Sequence, residues 1–202
     1  MVNISVMETQ FGMTSPWLAG DAEGTQAVQI IVLVTPPMSL EDPSLRETLN
    51  AVLAAPVARR VLVLGGAGAD WLPAGFDLMG QRGGDYGERI AAALADAHAT
   101  MALPMLLIRA DALDVTPDML AEAARSLISG EADASFGPAS DGGFWLLGLR
   151  RPDRSMVIGI PSPGEGTASS VGRLLLDRLA SAGLRVALAP RLEIAGAPAL
   201  RF

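Results

Sequence analysis

The chain has no cysteine, which removes disulfide frameworks, thiolate zinc sites, iron–sulfur clusters and cysteine nucleophiles together. It has no lysine either, since all 15 basic residues are arginine. Schiff-base chemistry is thereby excluded, and so is a P-loop, whose G-x-x-x-x-G-K-[ST] motif needs the amine. Only one histidine is present, His98. Any metal must then be a hard ion on carboxylates, of the magnesium, manganese or calcium kind. Positive charge is in short supply overall: the net charge is −7, and no basic stripe could neutralise phosphates, so no nucleic-acid partner is expected. The pairs Arg59/Arg60 and Arg150/Arg151 read as strand or loop edges. The first 26 residues carry neither a basic n-region nor a long apolar run, and no 18-residue uncharged apolar window occurs. A cytoplasmic protein without a membrane partner is expected.

What is present is a core. Of 202 residues, 50% are hydrophobic and 18% charged, the opposite of a disordered composition. From residue 27 short β-branched runs alternate with helical patterns, as in βαβ units around a parallel sheet. Ala27–Thr35, Arg60–Leu64 and Pro104–Ile108 are continuously apolar enough to be central strands, buried on both faces. A short strand is expected at Phe76–Gly80, and later ones at Ala134–Gly137, Phe144–Leu149, Met156–Ile160, Arg185–Ala189 and Leu192–Ile194. Helices are expected at Ser44–Ala55, Asp85–Ala99, from Thr116 to Gly130, and at Thr167–Ala182. At the third of these, Thr116-Pro117-Asp118 supplies an N-cap, a proline at the first helical position and an acid in the first turn. The fold class is α/β, a three-layer α/β/α sandwich with a mainly parallel sheet, one domain over residues 27–202 behind an N-terminal extension of residues 1–26.

Ligands of such sheets sit beyond the carboxyl ends of the strands. Asp111 lies just past an apolar strand, where a carboxylate either holds a divalent ion or ligand hydroxyl or caps the following turn. Arg109 precedes it by two residues, so the two side chains share a face if the strand persists. Ser140-Asp141-Gly142-Gly143 offers either a close backbone approach to a ligand or a turn with positive φ. Gln81-Arg82-Gly83-Gly84-Asp85-Tyr86-Gly87-Glu88-Arg89 leads into an alanine-rich helix, and helix capping accounts for Asp85 but not for so much glycine. Gly65-Gly66-Ala67-Gly68 fails as a dinucleotide fingerprint because its third glycine would be Trp71. His98, near a helix end, reads as a dipole partner rather than a base.

Taken together, QRGGDYGERIAAALADA, LLIRADALDVTPDML, FGPASDGGFWLLGLRRP and GLRVALAPRLEI resemble, in matching order, a bacterial group of glycosyltransferase-A-fold proteins. That group is related to the molybdenum-cofactor and 2-phospho-lactate guanylyltransferases. The resemblance implies a nucleotide-diphospho-sugar transferase-like fold, a nucleotide or sugar nucleotide as ligand, and magnesium or manganese as cofactor where such a protein is active. It implies Asp111, Asp141 and Glu88 as catalytic candidates. Gly84, Asp85, Gly87, Arg109, Gly142 and Gly143 become candidates for substrate binding, and Asp111 with Glu193 for metal. The chain also departs from the pattern. The loop after the first strand, Val34 to Ser39, lacks the family's glycine and basic residues. Arg109-Ala110 replaces Gly-Thr, Leu113 replaces a proline, and Ala195 replaces the second acid of a closing Asp-x-Asp. Two functions follow: nucleotidyl or glycosyl transfer with degenerate phosphate and metal sites, or non-catalytic ligand binding or assembly on the same scaffold. Self-association into a homo-oligomer is left open.

Overall fold

The computed structural model describes residues 25–35, 38, 41–66, 74–162 and 171–196. Most of the extension, Pro36, Pro37 and Ser39 of the first loop, the run from Ala67 through Trp71, and the first turns expected for the helix at Thr167 lie outside the described residues.

The apolar run at β1 (Gln26–Leu33) is buried on both faces, and its alternate residues feed two cores. On one side Ile30 and Val32 pack with α1 (Pro43–Ala54) and α3 (Pro117–Ile128). On the other, Ile31 and Leu33 pack with α2 (Tyr86–Thr100), α4 (Arg154–Val157) and α5 (Val171–Ser181). Between the layers runs a sheet that also contains β2 (Val57–Leu64), β3 (Asp77–Gly80), β4 (Met105–Arg109), β5 (Ala134–Pro138), β6 (Phe144–Leu149) and β7 (Val186–Leu188). Its order is β3-β2-β1-β4-β6-β5-β7. β6 is antiparallel to both of its neighbours, and every other pair is parallel. The expected central strands are interior ones, as β1, β2 and β4.

Local signals placed the helix starts well. Asp42 caps α1, Asp85 caps α2 and Thr116 caps α3, with Pro117 at the first helical position. The adjacent arginines of β2 are structural. Arg60 donates to the carbonyls of Val52, Leu53 and Ala55 at the end of α1, and Arg59 reaches Asp77, Gln29 and the Ala97 carbonyl.

Two expectations are corrected. Met156–Ile160 is not a strand. Asp153 accepts the Ser155 N–H and starts the single turn of α4, and Met156 and Val157 reach the core from that turn. A five-residue apolar run is compatible with either state, and the cap together with packing on α2 decides it. Leu192–Ile194 does not complete the sheet as a strand. It touches it only through isolated bridges, Leu192 to Ala139 and Ile194 to Ala112. Among the described residues no helix is long and apolar enough to cross a membrane.

Candidate functional site

β4 ends at Arg109, level with the end of β1 at Leu33. The side chain of Arg109 is 7% exposed and turns back over the sheet edge. Its Nε donates to Asp111 Oδ1 at 2.9 Å and its Nη2 to Asp111 Oδ2 at 2.6 Å. Nη1 donates to Asp141 Oδ2 at 2.6 Å. One guanidinium thus bridges two carboxylates that follow Arg109 in the chain by two residues and by 32. Burial opposes the charge of Arg109, but its bonds to Asp111 and the surrounding negative charge more than offset this and raise its pKa.

Asp141 is presented by the turn that joins β5 to β6. Gly142 takes φ 81° there, and Gly143 N–H donates to Asp141 Oδ1 at 2.9 Å. A Cβ on Gly143 would lie 3.0 Å from that oxygen and 3.4 Å from Arg109 Nη1. The second glycine therefore leaves room for the Asp141 carboxylate to fold back onto its N–H. α5 docks on the same turn: Gly172 N–H donates to the Gly142 carbonyl at 2.9 Å, and a Cβ at Gly172 would be 2.5 Å from the Gly143 carbonyl oxygen. No sequence signal singles out Gly172, because its neighbour is 30 residues away.

A divalent ion does not fit this donor set. All four oxygens of Asp111 and Asp141 accept hydrogen bonds, three of them from the fixed positive charge of Arg109, which would repel a second cation. The residue facing Asp111 across the closing segment is Ala195, whose N–H donates to the Asp111 carbonyl at 2.8 Å. Glu193 lies opposite Leu113 instead and is exposed. Among the described residues no group of three or more acids or histidines is placed to hold a metal.

The other candidates gather at the start of α2. Asp85 Oδ1 accepts the Glu88 N–H at 2.7 Å, and Glu88 Oε2 accepts those of Gly84 at 2.8 Å and Asp85 at 3.4 Å. Both carboxylates thus serve as a capping box. Gly87 lets the helix meet residues 157–160, since a Cβ there would collide with the Val157 carbonyl. Tyr86, the sole tyrosine of the chain, was not among the residues expected at the site. Its ring packs 6.5 Å from that of Phe144. Burial pushes its phenol up; the charges of Arg109, Asp111, Asp141 and Arg89 all reach it more weakly. Tyr86 is itself the first residue of α2, and the charges of the Arg109 cluster act on it from there. His98 sits in the last turn of α2, as a dipole partner would.

A family model for an uncharacterized protein conserved in bacteria, DUF2064, matches residues 48–162. No curated protein matches by sequence. A crystal structure from Desulfovibrio desulfuricans G20, provisionally described as a nucleotide-diphospho-sugar transferase, superposes with a TM-score of 0.71 at 20% identity, covering 84% of this chain and 82% of that one. Rv0371C from Mycobacterium tuberculosis H37Rv, in complex with manganese, gives 0.52 at 18% identity, covering 89% and 94%. Glucosyl-3-phosphoglycerate synthase from Mycobacterium tuberculosis, in complex with manganese, UDP and glucosyl-3-phosphoglycerate, gives 0.55 at 15% identity, covering 84% and 71%. At these identities the likeness shows the fold, which is that of the nucleotide-diphospho-sugar transferases, glycosyltransferase-A-like.

Proposed function

The chain belongs to the DUF2064 family of uncharacterized bacterial proteins, and from that premise we propose that it is a glycosyltransferase-A-like ligand-binding protein that works without a divalent ion. Its ligand is of the nucleotide or sugar-nucleotide class, in keeping with the UDP held by a mycobacterial neighbour of the same fold. The relationship to the molybdenum-cofactor and 2-phospho-lactate guanylyltransferases implied by the motifs is part of the same reading.

One observation carries it. Arg109 occupies the space between Asp111 and Asp141 with three short hydrogen bonds. A guanidinium remains charged when buried and matches a carboxylate with a planar fork. It therefore holds Asp111 and Asp141 together at the sheet edge with the positive charge that a divalent ion would otherwise supply. Gly142 and Gly143 shape the turn beside it, and Gly84 and Asp85 line a separate cleft at the start of α2. Asp111 and Asp141 orient Arg109, and Glu88 holds the α2 start in place.

The test is manganese-induced thermal shift of the native protein and of Arg109→Gly. The proposal expects little shift in the first and a clear shift in the second, with or without a UDP-sugar. A native protein already stabilised by manganese would favour the metal-dependent transferase instead, with Asp111 and Glu193 on the ion and Asp141 or Glu88 at the acceptor. If neither protein responds, Arg109 is not standing in for a metal.

A further inference from the structure

At the sheet edge opposite Arg109, β6 ends at Leu149, level with the first residues of β4 and β5. The chain then runs Arg150-Arg151-Pro152-Asp153-Arg154 into α4. All three arginines line one open cleft of about 670 Å³, with Asp133, Met156 and Leu184 among its other walls. A chain of net charge −7 thus gathers three of its 15 basic residues around a single cavity. Like charges that share a cleft repel one another, so the arrangement is favourable only with an anion among them.

The fold does not use these guanidiniums as it uses the others. Arg59, Arg109 and Arg185 hold carboxylates, and Arg60 and Arg178 hold backbone carbonyls. Arg151 and Arg154 are exposed, and neither side chain has a hydrogen bond or ion pair among the described residues. Arg150 comes only within 4.0 Å of Asp133, whose two oxygens already accept from Arg185 Nε at 2.9 Å and Nη2 at 3.1 Å. Asp153, the other acid of the cleft, accepts the Ser155 N–H and hydroxyl through Oδ1. With Asp133 neutralised by Arg185, three cations face one remaining anion, and the cleft keeps surplus positive charge. That charge is also spread out. Arg150 Nη1 lies toward Gly130 and Asp133, whereas Arg154 borders an adjoining cavity on the α2 side as well.

We propose that this cleft binds a small polycarboxylate, with separate carboxylates on Arg150, Arg151 and Arg154 and its hydrocarbon frame beside Met156 and Leu184. The planar fork of a guanidinium matches a carboxylate through two hydrogen bonds. One carboxylate would satisfy one arginine only, and a phosphate chain would crowd its charges more closely than the arginines are spaced. The site needs no metal, lies at the other sheet edge from Arg109 and is independent of the reading above.

Calorimetry and thermal shift of the full chain with propane-1,2,3-tricarboxylate, glutarate, acetate and diphosphate, at one ionic strength and with EDTA present, test it. The tricarboxylate should bind most tightly and raise the Tm, glutarate should follow, and acetate and diphosphate should bind least. Arg151→Gln and Arg154→Gln should each weaken the tricarboxylate by about fivefold, and the double variant should lose the rise in Tm. Both side chains are exposed and unpaired, so the variants should melt no lower than the native protein without ligand. Arg46→Gln on α1 and Arg173→Gln on α5 remove exposed arginines that lie outside the cleft and should leave binding unchanged. The proposal is overturned if the tricarboxylate raises the Tm no more than acetate does, if diphosphate binds as tightly, or if Arg46→Gln weakens binding as much as Arg151→Gln. Because Arg109 and manganese play no part in these measurements, failure leaves the Arg109 reading standing.

Discussion

Arg109 grips Asp111 through two parallel hydrogen bonds, Nε to Oδ1 at 2.9 Å and Nη2 to Oδ2 at 2.6 Å, with only Ala110 between them in the chain. Residues two apart on an extended chain project to one side, so the pairing needs no long-range folding. The third bond, to Asp141, does need it. The turn between β5 and β6 must deliver that carboxylate to the end of β4, and β6 does so by pairing antiparallel with both β4 and β5.

Removing the cation should therefore cost more than removing one anion. Arg109→Met leaves Asp141, whose side chain is 10% exposed, without its counter-charge, and a loss of about 3 kcal/mol is expected. Asp141→Asn leaves Arg109 still paired with Asp111, and a loss of about 1 kcal/mol is expected. Urea unfolding of the two variants gives the order; equal losses would mean the three groups do not act as one cluster.

Gly87→Ala sets two effects against each other. Alanine is favoured over glycine inside a helix by up to about 1 kcal/mol, but its methyl would collide with the Val157 carbonyl. Overpacking of this kind costs roughly 1–3 kcal/mol, so the variant should melt below the native protein. A higher melting temperature would show that residues 157–160 yield easily and that the glycine is there for another reason.

Acid should weaken the lower edge of the sheet through Asp133. The Arg185 side chain and backbone N–H hold its carboxyl below the usual range, and the Ser155 hydroxyl and N–H do the same for Asp153. A carboxylate with a lowered folded pKa stabilises fully above its unfolded pKa and loses that contribution as pH falls through the folded one. Between about pH 5 and pH 2 the melting temperature of Asp133→Asn should fall less steeply than that of the native protein. Parallel curves would show that the Arg185 contact is too exposed to matter.

Nucleoside triphosphates should bind weakly. The sequence Val34-Thr35-Pro36-Pro37-Met38-Ser39 offers neither a cation nor a glycine nest for phosphate oxygens. Calorimetry with GTP and CTP in magnesium should show no micromolar binding, and a micromolar constant would mean that another segment supplies the missing charge.

The capping box at α2 shows where local reading stops. The sequence carries Asp85 and Glu88 three residues apart, which is sufficient for their mutual capping, yet resemblance also offered Glu88 as an acceptor-positioning acid. Coordinates place its Oε2 on the Gly84 and Asp85 N–H groups, a choice that depends on rotamers and not on composition. By itself the sequence determined the interior strands, the helix starts at Asp85 and Thr116, and the shared face of Arg109 and Asp111. All of these depend on neighbours within a few residues, through burial on both strand faces, side-chain capping and the period of two. Only the tertiary structure decided that Asp141 meets Arg109, that Ala195 rather than Glu193 faces Asp111, that Gly172 seats α5 on the turn after β5, and that residues 156–157 belong to a helical turn. Each of these depends on register or packing between segments far apart in the chain, and the closing of such contacts is set by the whole core and not by any local pattern.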